Sequence, residues 1–347
     1  MDKDLHRKSN PQTTIAECWR SRNRTFIDVR SPKEFFEGHL PHAVNLPLLD
    51  DTERETVGVI YRRYGQYRAV EKGYDILEPK LDALKRHFDR FSEEKSVIIY
   101  CARGGMRSRV VTSLMRSFGY PAKQLQGGYK AFRNWNLNLL EQFTINDLIV
   151  LHGQTGVGKT LILNRLQNSI DLEKIAGHRG SMFGGIGKSP VTQKTFDSAL
   201  LMILESIDNM KPVFIEGESR KIGKITIPRN IFNQMQHARH ILLKAPIRIR
   251  AERIIEEYVT RQPTAIPEIG ETIGYLRKDL GKTKVARLCR LFNEARYREC
   301  FEEILESYYD KKYSFGMKDL ICRKEIWAEH IPTAVSETIR YSQSKKD

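Results

Sequence analysis

Cysteine is scarce in this chain. Its 347 residues hold five, Cys18, Cys101, Cys289, Cys300 and Cys322, odd in number and scattered, with no C-x-x-C pair. That pattern speaks against a disulfide framework and against zinc, haem or iron–sulfur centres. No apolar run reaches the length of a membrane span, and Met1–Lys8 is charged with no apolar h-region. No low-complexity stretch argues for extensive disorder. Acids are in short supply, 43 against 58 Lys and Arg, which leaves a net charge of +15 and a pI near 9.5. Such an excess favours a polyanionic partner, nucleic acid before membrane; a generally basic enzyme surface is the competing reading. The absences together predict a cytoplasmic chain without a membrane anchor. With 40% hydrophobic residues it can bury a proper core, and its length suggests two domains.

The motif that organises the chain is Gly153, Gln154, Thr155, Gly156, Val157, Gly158, Lys159, Thr160, which fits G-x-x-x-x-G-K-[ST] without mismatch. Asp147–His152 reads as a buried strand before it and Leu161–Leu166 as a helix after it. Backbone N–H groups and a helix N-terminus then converge on one spot, which suits phosphate oxygens. Lys159 supplies a point charge, and Thr160 a hydroxyl for Mg²⁺ or phosphate. A near-repeat at Met182–Ser189 lacks the first glycine and reads as a mobile Gly-rich segment, not a second nucleotide site.

The first part of the chain alternates strands and helices. Thr25–Val29 is a strand feeding a helix that starts at Arg30–Phe36, with Pro32 in its first turn. Glu53–His87 is helical and mostly polar; Tyr61, Arg62, Arg63, Tyr64 and Arg68 form a basic-aromatic cluster there, read first as a solvated face. Ser96–Tyr100 is an apolar strand that delivers Cys101 into a loop of Ala102, Arg103, Gly104, Gly105, Met106, Arg107 and Ser108. The helix Arg109–Arg116 follows. Strand, Gly-containing loop and helix again make an anion cradle, now with a thiol at its entrance. Loop amides, the helix N-terminus and Arg103 or Arg107 suit a thiolate with an oxyanion beside it.

Asp28–Phe35, Gly38–Asn45, the Cys101 loop and Leu125–Tyr129 together resemble a rhodanese domain, in which the loop cysteine carries a persulfide. The C-x₅-R spacing from Cys101 to Arg107 is one residue longer than the usual sulfurtransferase loop and resembles the cradle of cysteine-dependent phosphatases. Tyr100 stands where those phosphatases commonly have His. The roomier loop suits a tetrahedral, phosphate-like donor.

Asn134–Gln142 reads as a linker between the domains. Beyond the phosphate loop, Ile170–Ala176 reads as a strand, and Gly177–Gly185 as a loop whose Arg179 and Ser181 are candidate phosphate or substrate contacts. Pro212–Arg220 is an apolar strand ending in acids, the place for a carboxylate that holds Mg²⁺ or its waters. Glu216 and Glu218 are not ranked by sequence, and Arg220 joins them as a candidate. His240–Ala245 is a further strand. From Arg248 onward the pattern is helical. Between Thr272 and Cys300, Arg277, Lys278, Lys282, Lys284, Arg287 and Arg290 face few acids, with Tyr275 and Tyr297 interleaved. Basic helices of this kind suit an RNA backbone, with tyrosines to stack on an unpaired base; a solvated basic face is the alternative.

The expected fold is α/β: a rhodanese-like domain over residues 1–138, then a P-loop NTPase-like parallel-sheet domain with C-terminal helices over 139–347. That order, with His178–Gly184 and Glu216–Gly223 added, resembles the family of bacterial tRNA 2-selenouridine synthases. The resemblance implies selenium replacing sulfur in the wobble 2-thiouridine of tRNA. It also implies selenophosphate and geranyl diphosphate as co-substrates, the S-geranylated base as intermediate, and an RNA partner held by its anticodon arm. A selenophosphate-supplying enzyme is a further candidate partner. Under it Cys101 receives or delivers selenium, Arg103 and Arg107 hold the donor phosphate, and Gly153–Thr160 bind the prenyl diphosphate. Two other classes compete. One is an ATP- or GTP-driven tRNA thiolation enzyme with a persulfide on Cys101; the other is a non-catalytic sensor.

Overall fold

The structure is a computed structural model that describes residues 10–21, 23–90, 96–189, 191–316 and 322–344. The charged segment Met1–Lys8 lies outside the described residues. The chain divides into two compact units, Met1–Leu139 with Asp197–Ala199, and Leu140–Phe196 with Leu200–Asp347.

The first unit runs β1 (Gln12–Thr13), α1 (Ile15–Trp19), β2 (Arg24–Asp28), α2 (Pro32–Phe36), β3 (Val44–Asn45), α3 (Asp51–Leu77), α4 (Leu81–Phe88), β4 (Ser96–Tyr100), α5 (Met106–Ser117), β5 (Ala122–Leu125) and α6 (Gly128–Gln142). Its strands form one parallel sheet in the order β1-β5-β4-β2-β3. After Ser96, central β4 is apolar because both sheet faces are covered, so its run of Val97, Ile98, Ile99 and Tyr100 is buried. Helix starts follow sequence signals. Thr14 with Glu17, Ser31 with Glu34 and Asp50 with Glu53 each make a reciprocal capping box. Helix α3 breaks at Gly65, whose φ of 81° and ψ of −179° are not helical. The segment read as a linker, Asn134–Gln142, is instead the second half of α6.

The second unit runs β6 (Leu148–Gly153), α7 (Lys159–Leu163), β7 (Ser169–Ile170), α8 (Leu172–Ala176), α9 (Gln193–Ser206), β8 (Val213–Glu216), β9 (Lys221–Ile222), β10 (Ile225–Thr226), α10 (Arg229–Gln236) and β11 (Arg239–Lys244). Then come α11 (Ile247–Ile255), α12 (Ile266–Tyr275), α13 (Arg277–Leu280), α14 (Lys282–Asn293), α15 (Tyr297–Ile304), α16 (Asp310–Gly316), β12 (Lys324–Trp327) and α17 (Ile331–Ser342). A parallel sheet in the order β12-β11-β6-β8-β7 carries the phosphate loop on its middle strand.

Two expectations are corrected here. Ile170–Ala176 is not one strand: the Asp171 side chain accepts from the Lys174 N–H at 2.8 Å, an N-cap that ends β7 and starts α8. The chain beyond Arg248 is not helical throughout either. Lys324–Trp327 returns as an edge strand beside β11, and only Ile326 of its residues is buried, too weak an apolar pattern to announce a strand.

Candidate functional site

Cys101 follows β4 directly and is 4% exposed. Its Sγ accepts from the Gly105 N–H at 3.2 Å and lies 3.2 Å from Ser108 Oγ. Gly104, with φ of 65°, turns the chain into α5, whose N-terminus points its first amides at the loop. The segment Leu125–Tyr129 forms the loop's floor. Tyr129 and Lys130 donate to the carbonyls of Cys101 and Ala102 at 2.8 and 3.0 Å. Gln124 Nε2 donates to Gly104 O at 2.8 Å and to Ser108 Oγ at 2.9 Å. A Cβ on Gly128 would strike the Cys101 carbonyl and the Gly104 amide, which explains the paired glycines of that floor. Below it, buried Arg30 pairs with Asp28, reaches Gly38 O at 2.7 Å and stacks over Tyr129. Tyr100 is structural: its hydroxyl accepts from Leu40 N–H at 3.2 Å.

The two loop arginines differ. Arg107 makes a two-pronged contact with Glu34, Nη1 to Oε2 at 2.6 Å and Nη2 to Oε1 at 3.2 Å. Burial disfavours charge on Glu34, but the Arg107 hydrogen bonds outweigh it and hold the carboxyl below its ordinary pKa. Arg103 is exposed and makes no ion pair among the described residues. Both stay candidates for an anion: Arg103 as it stands, and Arg107 by exchanging Glu34, a residue 73 positions away, for the ligand.

In the second unit, Lys159 Nζ donates to Gly153 O at 3.0 Å and stands 3.9 Å from Glu218 Oε1. Gly156 and Gly158 have φ of 79° and 103°, so the loop's curl depends on them. Thr160 sits in the first turn of α7. Two arginines of α11, neither of them foreseen, brace the loop from outside. Arg250, 2% exposed, donates to Thr155 O and Gln154 Oε1, both at 2.9 Å, and pairs with Asp310 at 2.6 Å. Arg253 donates to Val157 O and, through its other nitrogen, to Ala328 O at 2.6 Å. These bonds tie the Thr155 and Val157 carbonyls of the loop to α11.

Glu216 ends β8 beside β6, and with Glu218 and Glu173 it forms a group whose carboxylate oxygens lie within 4.8 Å of one another. Glu173, at the start of α8, was not anticipated, because its segment read as a strand. Glu216 Oε1 accepts from Glu173 N–H at 2.5 Å, while Oε2 is buried with no partner among the described residues. Burial and then the neighbouring carboxylates push Glu216 well above its ordinary pKa. The same causes, with Glu218 the main neighbour, push Glu173 up to about 8. Burial also raises Glu218, against the pull of Lys159. An all-oxygen donor set with one orphaned buried oxygen fits a hard divalent cation.

The loop Gly177–Gly185 passes over this group. At Gly180, with φ of 58°, a Cβ would lie 2.6 Å from Glu218 Oε2 and 3.0 Å from Glu173 Oε1. Arg179 turns away from the carboxylates to Glu257 at 2.5 Å and stacks over Tyr258. Ser181 lies beside Tyr258 and Tyr309. Phe183 and Ile186 are buried, so the near-repeat is pinned to the helical core. Arg220 is exposed, and among the described residues no hydrogen bond or ion pair ties its side chain to the group. His152, next to the loop, has its pKa lowered to about 3 by burial, His240 and Lys159, and so stays neutral.

On the C-terminal helices, Val285, Leu288, Leu291 and Phe292 face inward and the basic residues outward. Arg277, Lys278, Lys282, Arg287 and Arg290 are exposed and Lys284 is half-buried. Lys284 and Arg287 share Glu303, at 3.9 and 3.1 Å. The two tyrosines part company. Tyr275 is 64% exposed, whereas Tyr297 is half-buried and packs its ring 5.1 Å from Phe292.

A family model described as "tRNA 2-selenouridine synthase AAA domain" matches residues 146–345, and one described as "Rhodanese-like domain" matches residues 13–135. The chain belongs to the tRNA 2-selenouridine synthase family. It is 32% identical to a tRNA 2-selenouridine synthase of Nitrosomonas europaea over 88% of this chain and 85% of that one. It is 33% identical to that of a Sulfurovum species over 85% of this chain and 89% of the other. It is also 33% identical to that of Hydrogenovibrio crunogenus, over 90% and 94%. The rhodanese and P-loop sheets of the fold agree with this assignment. No described helix is long and apolar enough to cross a membrane.

Proposed function

We propose that this family member modifies tRNA, replacing the sulfur of wobble 2-thiouridine by selenium through an S-geranylated intermediate. The observation that carries the reading is the coexistence of two anion cradles of different chemistry in one chain of this family. One holds a thiol, Cys101; the other holds a lysine facing carboxylates.

In the first step, the thiocarbonyl sulfur attacks C1 of geranyl diphosphate, and diphosphate leaves. Gly153–Thr160 receive the diphosphate, with Lys159 moving from the Gly153 carbonyl to the departing oxygens. Glu173, Glu216 and Glu218 would hold a Mg²⁺ ion, which when bound supplies charge neutralisation for the diphosphate. Alkylation turns a poor leaving sulfur into a better one. In the second step, the selenium of selenophosphate bound at the Cys101 loop attacks C2 of the geranylated base. The geranyl thiolate leaves and takes the proton of the Cys101 thiol, and water then cleaves the P–Se bond to release phosphate and the selenouridine. Arg103 holds the phosphate of selenophosphate, and Arg107 joins it by exchanging Glu34 for the ligand. The basic faces of α13 and α14 hold the RNA backbone.

The test is mass spectrometry of nucleosides from 2-thiouridine-containing tRNA incubated with the protein, selenophosphate and geranyl diphosphate, together and separately, with no nucleotide. Selenouridine with both donors, and the geranylated base without selenophosphate, is the expected result. Turnover only with ATP or GTP would replace this reading with nucleotide-driven thiolation.

A further inference from the structure

Helix α3 spans 27 residues but buries only Ala69 and Leu77. Its ends pack on the first unit's core through Val57 and Ile76, while residues 61–68 are all exposed. That middle is not the polar surface such exposure would call for. Tyr61, Tyr64 and Tyr67 are 55%, 67% and 79% exposed, and none of their hydroxyls bonds to a described residue. Arg62, Arg63 and Arg68 lie among them, all exposed. Among the described residues only Arg68 of these is paired, to exposed Glu71 at 2.8 Å. From Thr56 to Val70 there is no acid at all. On α14, by contrast, the basic face is partly neutralised by Glu303. Three exposed rings in positive charge that Glu71 only partly offsets match the chemistry of unpaired RNA, whose bases stack on aromatic faces while arginines meet its phosphates.

The break at Gly65 fits this role. A Cβ there would touch nothing within 4 Å, so packing does not require glycine; the φ of 81° does. The bend interrupts the helical stripe between Tyr64 and Tyr67, so the rings need not lie one above another along a straight rod. We infer that the exposed middle of α3, Tyr61 to Arg68, is a docking surface for unpaired nucleotides of the RNA substrate. The inference rests on the tRNA reading above and adds a contact surface in the rhodanese unit, apart from α13 and α14.

The experiment uses the full chain and fluorescently labelled 2-thiouridine-containing tRNA, with dissociation constants measured by anisotropy across a salt series. Circular dichroism and melting curves establish that each variant is folded. The triple variant Y61A/Y64A/Y67A should bind about tenfold or more weakly, since stacking accounts for a sizeable factor per base. The variant Y61F/Y64F/Y67F keeps the rings and should retain wild-type affinity. R62Q/R63Q should flatten the slope of log K against log salt by roughly 1.5, the loss of two phosphate contacts on a single strand. Should the triple variant not fold, Y64A alone carries the same test with a smaller loss.

Unchanged affinity in the folded alanine variant overturns the proposal, as does equal loss in the phenylalanine variant. Sedimentation showing that wild type self-associates and the alanine variant does not would assign the surface to a second copy instead. A wild-type chain that binds no tRNA at all would overturn the tRNA reading itself, a result distinct from any of these.

Discussion

The carboxylate group at the end of β8 makes the stability of the second unit pH-dependent in an unusual direction. Glu173 has a folded pKa of about 8 against an ordinary 4.5, so the folded state binds the proton more tightly than the unfolded chain. Its contribution is fully present below about pH 4.5 and is lost as pH rises through about 8. Between about pH 5.5 and pH 8 a single such group loses ~3 kcal/mol. Sharing of charge with Glu216 and Glu218, and Glu173's partial exposure, reduce the expected loss to roughly 1–3 kcal/mol. Glu173→Gln carries the neutral form permanently and removes that share of the slope. Urea unfolding followed by far-UV circular dichroism, in EDTA, should show wild type losing more stability than the variant over this range. Parallel curves for the two proteins would refute the assignment of Glu173 to a shared, partly protonated group. Added Mg²⁺ should restore the wild type at high pH more than it restores Glu173→Gln.

Four further outcomes follow from contacts already described. Cys101→Ala should abolish selenium incorporation while leaving tRNA affinity unchanged, and retained selenouridine in the nucleoside digest would remove Cys101 from the chemistry. Lys159→Ala should slow geranylation by on the order of a hundredfold or more, as loss of one charge on a leaving group does; an unchanged rate would take the phosphate loop out of that step. Gly128→Ala should destabilise the first unit by more than ~1–2 kcal/mol, since left-handed backbone strain adds to collision with the Cys101 carbonyl. A melting curve and the rate of Cys101 alkylation would register it. Arg250→Met removes the donor to the Thr155 carbonyl and one partner of Asp310, and should cost about 2–4 kcal/mol in urea unfolding, discounted from a fully buried pair because Asp310 is partly exposed. A loss under ~1 kcal/mol would mean the loop holds its shape unaided.

What the sequence determined by itself is local. The capping residues Ser31 and Asp50, the strand–loop–helix order around Cys101 and Gly153, and the glycines with positive φ express short-range sterics and hydrogen bonding, which a few consecutive residues settle. Their order along the chain was enough to suggest the family. What the tertiary structure decided are partnerships across long separations. Glu173 meets Glu216 across 43 positions, Arg107 meets Glu34 across 73, and Arg250 reaches Thr155 across 95. No spacing rule encodes such pairs, because sheet order and helix docking bring them together. Lys324–Trp327 shows the same limit: its exposed residues carry no strand signal, and it becomes a strand because β11 presents an open edge. Tyr297 could be told from Tyr275 only once the packing on Phe292 was known. Local chemistry writes the motifs; burial, which depends on every element at once, selects which of their side chains are free to act.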